Sequence, residues 1–309
     1  MFYITETMNH SIINYSIIIA HKNIPDLLVR CLDSIPVRDD IQVIVVDDNS
    51  DPGVVSFEHF PQWGGRHFDC YFTKEGRGAG YVRNVALTHA RGKWVTIMDA
   101  DDYYTEDFPS FLDRMVDAEE DLIIFDHRSV LNDDISVSVS RAEYLSKLIQ
   151  DFRNHRIDEK KIRRSYEVAH CKLVRRDLIE KHGIRFHEVK WGNDIFFSAQ
   201  VACFAESIRV CDDIIYVMTV RRGSLTADFC GTRKEALTRL QEAIACDNLF
   251  KEHGLSTQNG YTNSVLRLIH ERHSFLECTG YCLSSIGNWP VAKVLAHSLA
   301  QKIRRHIGS

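Results

Sequence analysis

The sequence contains no apolar run close to the ~20 residues that cross a bilayer, which excludes a membrane-spanning helix from its reading. It also lacks any C-x-x-C pair among its nine cysteines; Cys278 and Cys282, one helical turn apart, come closest. An odd count without paired spacing fits buried or idle thiols in a reducing compartment better than a disulfide framework or a zinc site. Nothing near the N-terminus resembles a signal peptide, because Glu6 precedes the first apolar run and Ile17-Ile18-Ile19 is too short an apolar core for one. An excess of basic charge is missing too. With 38 Lys and Arg against 43 Asp and Glu, the net charge of -5 argues against a general nucleic-acid binder. No internal repeat or low-complexity segment is present. The expected setting is cytoplasmic.

What is present is ordinary in bulk: 309 residues, 44% hydrophobic and 26% charged, enough for one large domain or a domain with an appendage. The first third alternates β-rich runs with helical patterns. Tyr15 to Ala20, Ile41 to Val46, Phe68 to Thr73 and Val95 to Met98 read as strands. Pro25 opens a helix carrying Leu27, Leu28, Cys31, Leu32 and Ile35, and a second helix runs from about Ala79 to Ala90. Strands without polar alternation, separated by helices, imply a parallel sheet covered on both faces, hence an α/β domain. Further on, Leu122 to Phe125 and Cys171 to Val174 read as strands. Residues 141 to 164 and Arg176 to His182 read as helices. Beyond about residue 232 the pattern is purely helical, which divides the chain into 1–231 and a C-terminal helical extension, 232–309.

The most informative stretch is Met98-Asp99-Ala100-Asp101-Asp102, at the end of a short apolar strand. Like charges about 4 Å apart repel by about 4 kcal/mol at an effective dielectric near 20, so the cluster needs a cation, an amide-rich turn or water. One reading is a D-x-D site for a divalent metal, which usually arrives with phosphates. The other is a polar strand end whose acids cap the next helix, from near Thr105. Asp47-Asp48-Asn49-Ser50 ends the second strand, and Ala20-His21 the first. In a parallel α/β sheet these ends share one edge, where ligands bind. Asp-Asn-Ser also suits an Asx turn, but a carboxylate such as Asp48 can accept hydrogen bonds from a base or ribose. Gly76-Arg77-Gly78-Ala79-Gly80 is neither a Walker A loop nor a dinucleotide fingerprint. Flexible backbone at a helix start, with Arg83 just inside, suits contact with a diphosphate or with the acidic cluster. A glycine turn with a surface arginine is the alternative.

Seven runs, in order and at normal spacing, resemble the family 2 glycosyltransferases. They are Ser16–Ala20, Val45–Ser50, Arg83–Ala86, Met98–Asp102, Lys172–Ile179, Gly192–Phe197 and Arg221–Thr226, covering residues 15 to about 226. The resemblance implies an inverting, nucleotide-sugar-dependent enzyme of the GT-A fold, a Rossmann-like, mixed and mostly parallel sheet flanked by helices. Carried over by position, it implies that Ala20, His21 and Asp48 meet the nucleotide, usually a uracil nucleotide. It puts Asp99 on the ribose side, and Asp101, with Asp99, on a Mn²⁺ or Mg²⁺ ion bridging the diphosphate. Arg83, and Arg221 or Arg222, would contact the donor; a solvated basic loop is the other reading of the last two. Asp194 would be the general base. Members usually read Gly-Glu-Asp where this chain has Gly192-Asn193-Asp194, and Asn193 cannot act as a base. His21-Lys22 also replaces the usual aromatic after the first strand.

Trp191 is assigned to the core rather than to a stacked acceptor sugar, and His170 is left out of the site. The last helix, from Pro290, has Val291, Val294, Leu295, Leu299, Ile303 and Ile307 on one side and Lys293, Lys302, Arg304 and Arg305 on or beside the other. Packing on the body or on a second subunit is preferred for it, which allows a homo-oligomer. The other use is peripheral contact with the inner face of the cytoplasmic membrane, where a lipid-linked acceptor would lie. The expected partners are thus a nucleotide-sugar donor and a glycan or lipid-linked glycan acceptor, by resemblance in bacterial surface-polysaccharide assembly. Two other functions compete with this one. A non-catalytic sugar-nucleotide or glycan-binding protein would not need both Asp101 and Asp194. A haloacid-dehalogenase-type phosphatase needs Thr or Val where Tyr103 stands, and its motif on the first strand rather than the fourth.

Overall fold

The computed structural model describes residues 12–57, 60, 68–221, 232–255 and 260–262. The chain forms two compact units, 1–224 and 225–309. In the first, β1 (Tyr15–His21) is flanked by two parallel partners, β2 (Ile41–Asp48) and β4 (Trp94–Asp99), and β3 (Asp69–Thr73) pairs parallel with β2. These strands are solidly apolar because both faces are covered: Ile17, Ile18, Ile19, Ile44, Val45 and Val46 are all fully buried. β1 has a neighbour on each side reached by separate crossovers, the switch in strand order at whose carboxyl edge open α/β sheets bind ligands. Register sets Ala20 opposite both Val46 and Asp99.

The remaining strands depart from a parallel sheet. β7 (Lys172–Arg175) lies antiparallel between β4 and β6 (Leu122–Leu131). β8 (Ile208–Val220) runs parallel to β6, and the two-residue β5 (Tyr103–Tyr104) pairs antiparallel with β8. The result is one mixed eight-stranded sheet in the order β3-β2-β1-β4-β7-β6-β8-β5. β8 has no counterpart in the sequence reading, since Asp212 and Asp213 interrupt its apolar pattern. The helix expected over 141–164 is two helices, α4 (Glu143–Arg153) and α5 (Glu159–Ser165). His155 adopts a left-handed backbone between them, and Asp158 caps α5 by accepting from the Lys161 amide at 2.7 Å.

Five other helices flank the sheet: α1 (Pro25–Asp33), α2 (Ala79–His89), α3 (Phe108–Met115), α6 (Arg176–Lys181) and α7 (Asn193–Phe204). Pro25 sits in the first turn of α1, where its missing N–H has no partner to lose. In the second unit, α8 (Arg233–Glu252) is capped by Thr232, which accepts from the Glu235 amide. Ala236, Leu240, Ala243 and Phe250 form its buried stripe. No helix among the described residues is long and apolar enough to cross a membrane. The helix expected from Pro290, and with it the membrane and subunit expectations, lies outside the described residues.

Candidate active site

The acidic edge is built from the strand ends inward. Asp47 and Asp48 point to opposite sides of β2, as strand alternation requires, and they do different work. Asp47 is buried; its Oδ2 lies 2.8 Å from His21 Nδ1 and accepts from Ser50 Oγ at 2.6 Å. Burial opposes its charge, yet the hydrogen bonds from His21 and Ser50 prevail and hold the carboxyl below the usual range. The Ile24 amide donates to His21 Nε2 at 3.2 Å, so Nδ1 carries the proton toward Asp47. Both ring nitrogens of His21 thus serve the fold, and the ring is 1% exposed. The half-buried Ala20 is beside it on β1.

Asp48 faces the glycine loop. Its two oxygens each accept from the Gly78 amide at 3.1 Å, and Lys22 Nζ lies 3.1 Å from Oδ2. The loop leads into α2, where Gly80 is obligatory: a Cβ there would meet the His187 carbonyl oxygen at 2.3 Å. That close approach draws residues 186–193 against α2. Asn84 seals it by exchanging two hydrogen bonds with the Phe186 backbone, at 2.8 and 2.9 Å. Arg83, one residue earlier, is buried and bridges two segments. It donates to Asp99 Oδ1 at 2.5 Å and to Asn193 Oδ1 at 2.8 Å.

Asn193 begins α7 behind Gly192, whose left-handed backbone (φ 77°) turns the chain into the helix. Asp194 follows in the first turn and is half-buried. Burial raises its carboxyl above the usual range; Arg83 and Lys172 counteract, while Asp99 adds to the rise. Lys172 is itself buried and donates to the Tyr166 and Val168 carbonyls and to Ser198 Oγ of α7. Burial depresses its ammonium to about 7.

The three carboxylates of the Asp99–Asp102 turn have separate fates. Burial opposes ionisation of Asp99, but Arg83 and then His170 outweigh it and keep the carboxyl low. Asp101 is raised by burial and by Asp99, against the pull of Arg221, whose Nε donates to its Oδ2 at 2.9 Å. Asp102 is buried and does not face the site. It accepts from the Tyr216 hydroxyl at 2.6 Å and from the Thr219 amide at 2.7 Å. Arg222 lies outside the described residues.

A divalent cation can be tested against this donor set. Among the described residues no three His, Cys, Asp or Glu side chains gather as a metal cage. Asp99 and Asp101 each have one oxygen engaged by an arginine and one outside that ion pair. Two hard carboxylate donors suit an ion that takes its other ligands from phosphate and water, as Mg²⁺ usually does.

Some features escaped the sequence reading. Trp191, expected in the core, is half-buried, with Lys190 Nζ 4.8 Å from its ring centroid. His170, left out of the site, is buried with Nδ1 3.9 Å from Asp99 Oδ2 and stacks on Tyr216 at 5.0 Å. Tyr216 and Thr219 had no signal, because the strand that carries them was not recognised.

Comparison with known proteins agrees with this architecture. The family model described as glycosyl transferase family 2 matches residues 16–183. EpsH of Bacillus subtilis is 27% identical over 220 residues, 68% of this chain and 62% of EpsH. TarS of Staphylococcus aureus, a poly(ribitol-phosphate) β-N-acetylglucosaminyltransferase, is 23% identical over 280 residues, 87% of this chain and 46% of TarS. The crystal structure of TarS 1–349 with UDP-GlcNAc superposes with a TM-score of 0.57 at 18% identity, over 94% of this chain and 81% of that one. A mannosyltransferase from Pyrobaculum calidifontis, solved with GDP-Man and Mn²⁺, gives a TM-score of 0.51 at 20% identity, over 95% and 81%. The chain spans 31% to 66% of the length of the curated relatives it matches. The fold is of the GT-A type, and the chain belongs to glycosyl transferase family 2.

Proposed function

We propose that this protein is an inverting glycosyltransferase that moves a sugar from a nucleoside-diphosphate sugar, a UDP-sugar first among them, to a hydroxyl of a glycan or lipid-linked glycan. One observation carries the reading. Through the single side chain of Arg83, the Asp99 turn is joined to the start of α7, where Asp194 stands. The loop that binds Asp48 leads directly into the same helix as Arg83. Acids from three distant parts of the chain therefore line one edge, as donor and acceptor sites must if they are to share a reacting carbon. Family membership and the UDP-GlcNAc complex of TarS support a nucleotide-sugar donor, and the poly(ribitol-phosphate) in TarS's name supports a polymeric, hydroxyl-bearing acceptor.

In this reading Asp48, with Ala20 beside it, receives the nucleoside, and His21 holds the β1 end in shape. Asp99 and Asp101 would hold a divalent cation, which when bound neutralises charge building on the diphosphate leaving group. The Mn²⁺ complex of the archaeal mannosyltransferase is in keeping with that choice. Arg221 stands beside Asp101, from where its guanidinium can reach an incoming phosphate. Asp194 takes the proton from the acceptor hydroxyl as its oxygen attacks the anomeric carbon in line, inverting it. A carboxylate raised toward neutrality is a stronger base than an exposed one, and such help is worth ~10²–10⁴-fold in rate. Residues 232–309 form an appended helical region by the same proposal, and the working location is the cytoplasm.

Calorimetry with UDP-, GDP-, CDP- and dTDP-sugars, with and without Mn²⁺, tests the reading. Metal-enhanced binding of one of them, followed by release of its nucleoside diphosphate, is expected. Binding without any turnover toward water or glycan acceptors would leave a sugar-nucleotide-binding protein instead.

A further inference from the structure

β8 does more than extend the sheet. Between Tyr216 and Thr219 it makes four polar contacts with the Asp99–Asp102 turn, and Arg221 just beyond it makes a fifth. The Tyr216 hydroxyl accepts from the Asp99 amide at 3.1 Å and donates to Asp102 Oδ2 at 2.6 Å. The Thr219 amide donates to Asp102 Oδ1 and its hydroxyl to the Asp101 carbonyl, both at 2.7 Å. Arg221 reaches Asp101 Oδ2. The turn itself is closed by a 3.0 Å bond from the Asp102 amide to the Asp99 carbonyl.

Tyr216 is the member that touches both ends of the turn. Its ring cannot drift: His170 stacks on it at 11° between planes, and Tyr104 meets it edge-on at 5.7 Å and 80°. Asp102 is 2% exposed and, among the described residues, is held by the neutral donors of β8 with no cationic partner. A buried carboxylate held that way is costly on its own account. Both of its oxygens are taken by β8 donors. The arrangement is that of a brace, in which a buried acid and a phenol fix the backbone that presents its neighbours.

We propose that Tyr216, acting through Asp102, is a positioning residue that fixes the spacing and direction of Asp99 and Asp101 for a cation-bound nucleoside diphosphate. The inference rests on the functional reading above and adds two residues to it. Asp102 is thereby an anchor of the site and not a third ligand of the ion.

The test measures binding of UDP, with GDP as second probe, by calorimetry with and without Mn²⁺, on the full chain. Tyr216→Phe removes one oxygen and keeps the ring. It should leave metal-free nucleotide binding unchanged and lower the Mn²⁺-supported affinity about tenfold, the loss of one buried hydrogen bond. Asp102→Ala should do the same. Asp102→Asn should stay within about threefold of wild type, because an amide can accept from Thr219 and donate to the Tyr216 oxygen. Metal-supported binding by Tyr216→Phe equal to wild type overturns the proposal. So does an Asp102→Asn protein as weak as Asp102→Ala, which would make Asp102 a ligand. Should Tyr216→Phe fail to fold, the Asp102 pair decides by the same criterion. Wild-type protein that gains nothing from Mn²⁺ with either nucleotide removes the functional reading, and this inference with it.

Discussion

Arg221 donates from Nε to Asp101 Oδ2 at 2.9 Å, across 120 positions of sequence. The guanidinium engages that one oxygen and leaves the other outside the ion pair, where a cation would bind. Asp101→Ala should therefore abolish the Mn²⁺-dependent part of nucleotide binding. Arg221→Gln should retain it but make it more acid-sensitive, because burial and Asp99 then raise the Asp101 carboxyl unopposed. Titration calorimetry at two pH values separates the two outcomes. Equal Mn²⁺ dependence in Asp101→Ala and wild type would remove Asp101 from the metal site.

Asp194→Asn keeps shape and loses the base. Donor binding should match wild type, while transfer falls by ~10²–10⁴-fold. Sugar transfer assayed alongside binding distinguishes this from a folding defect. Full activity in Asp194→Asn would move the base elsewhere.

The pH profile carries a sign. Burial raises Asp194, so it stays protonated at pH values where an ordinary aspartate is ionised. The acid limb of kcat should therefore lie above the ordinary aspartate range of about 4, and the rate should climb as pH rises through it. An acid limb at or below about 4 in wild type would contradict the assignment.

Arg83→Gln breaks the bridge between the two halves of the site. Asp99 loses its guanidinium partner and Asn193 its donor. Stability should fall by about 1–3 kcal/mol, at the lower end because Asp99 is partly exposed to water. Chemical denaturation reads the loss, and nucleotide affinity should fall with it.

His127 is buried with no hydrogen-bond partner for either ring nitrogen among the described residues, Asp126 Oδ1 being 3.7 Å from Nδ1, and burial drives its pKa down to about 3. Between that value and the unfolded value near 6.5, the unfolded chain holds a proton that the folded one does not, so stability drains away as pH falls through this window. His127→Leu should be neutral or stabilising at pH 7, and should flatten the decline by about one proton. Unfolding curves collected from pH 7 to pH 4 measure it. An unchanged pH slope would mean that His127 has a partner in the folded state.

The local sequence determined a good deal. Apolar strands without alternation, Pro25 at a helix start and acids at strand ends specified β1, α1, β2, β4 and the edge at which those acids stand. These are properties of short segments, where periodicity and backbone restriction act within a few residues. The family likeness likewise lay in short runs, and the family match over residues 16–183 agrees with it. What the acids do individually was decided only in three dimensions. Asp47 and Asp48 are adjacent, yet strand alternation sends one to His21 and the other to Gly78. Asp101 and Asp102 are adjacent, yet one meets Arg221 and the other is buried under Tyr216. The reason is physical: a carboxylate's role follows from its solvent and its partners, and for Asp101 and Asp102 those partners come from β8 and the residue just past it, more than a hundred residues away, along a strand whose own pattern is broken by two aspartates.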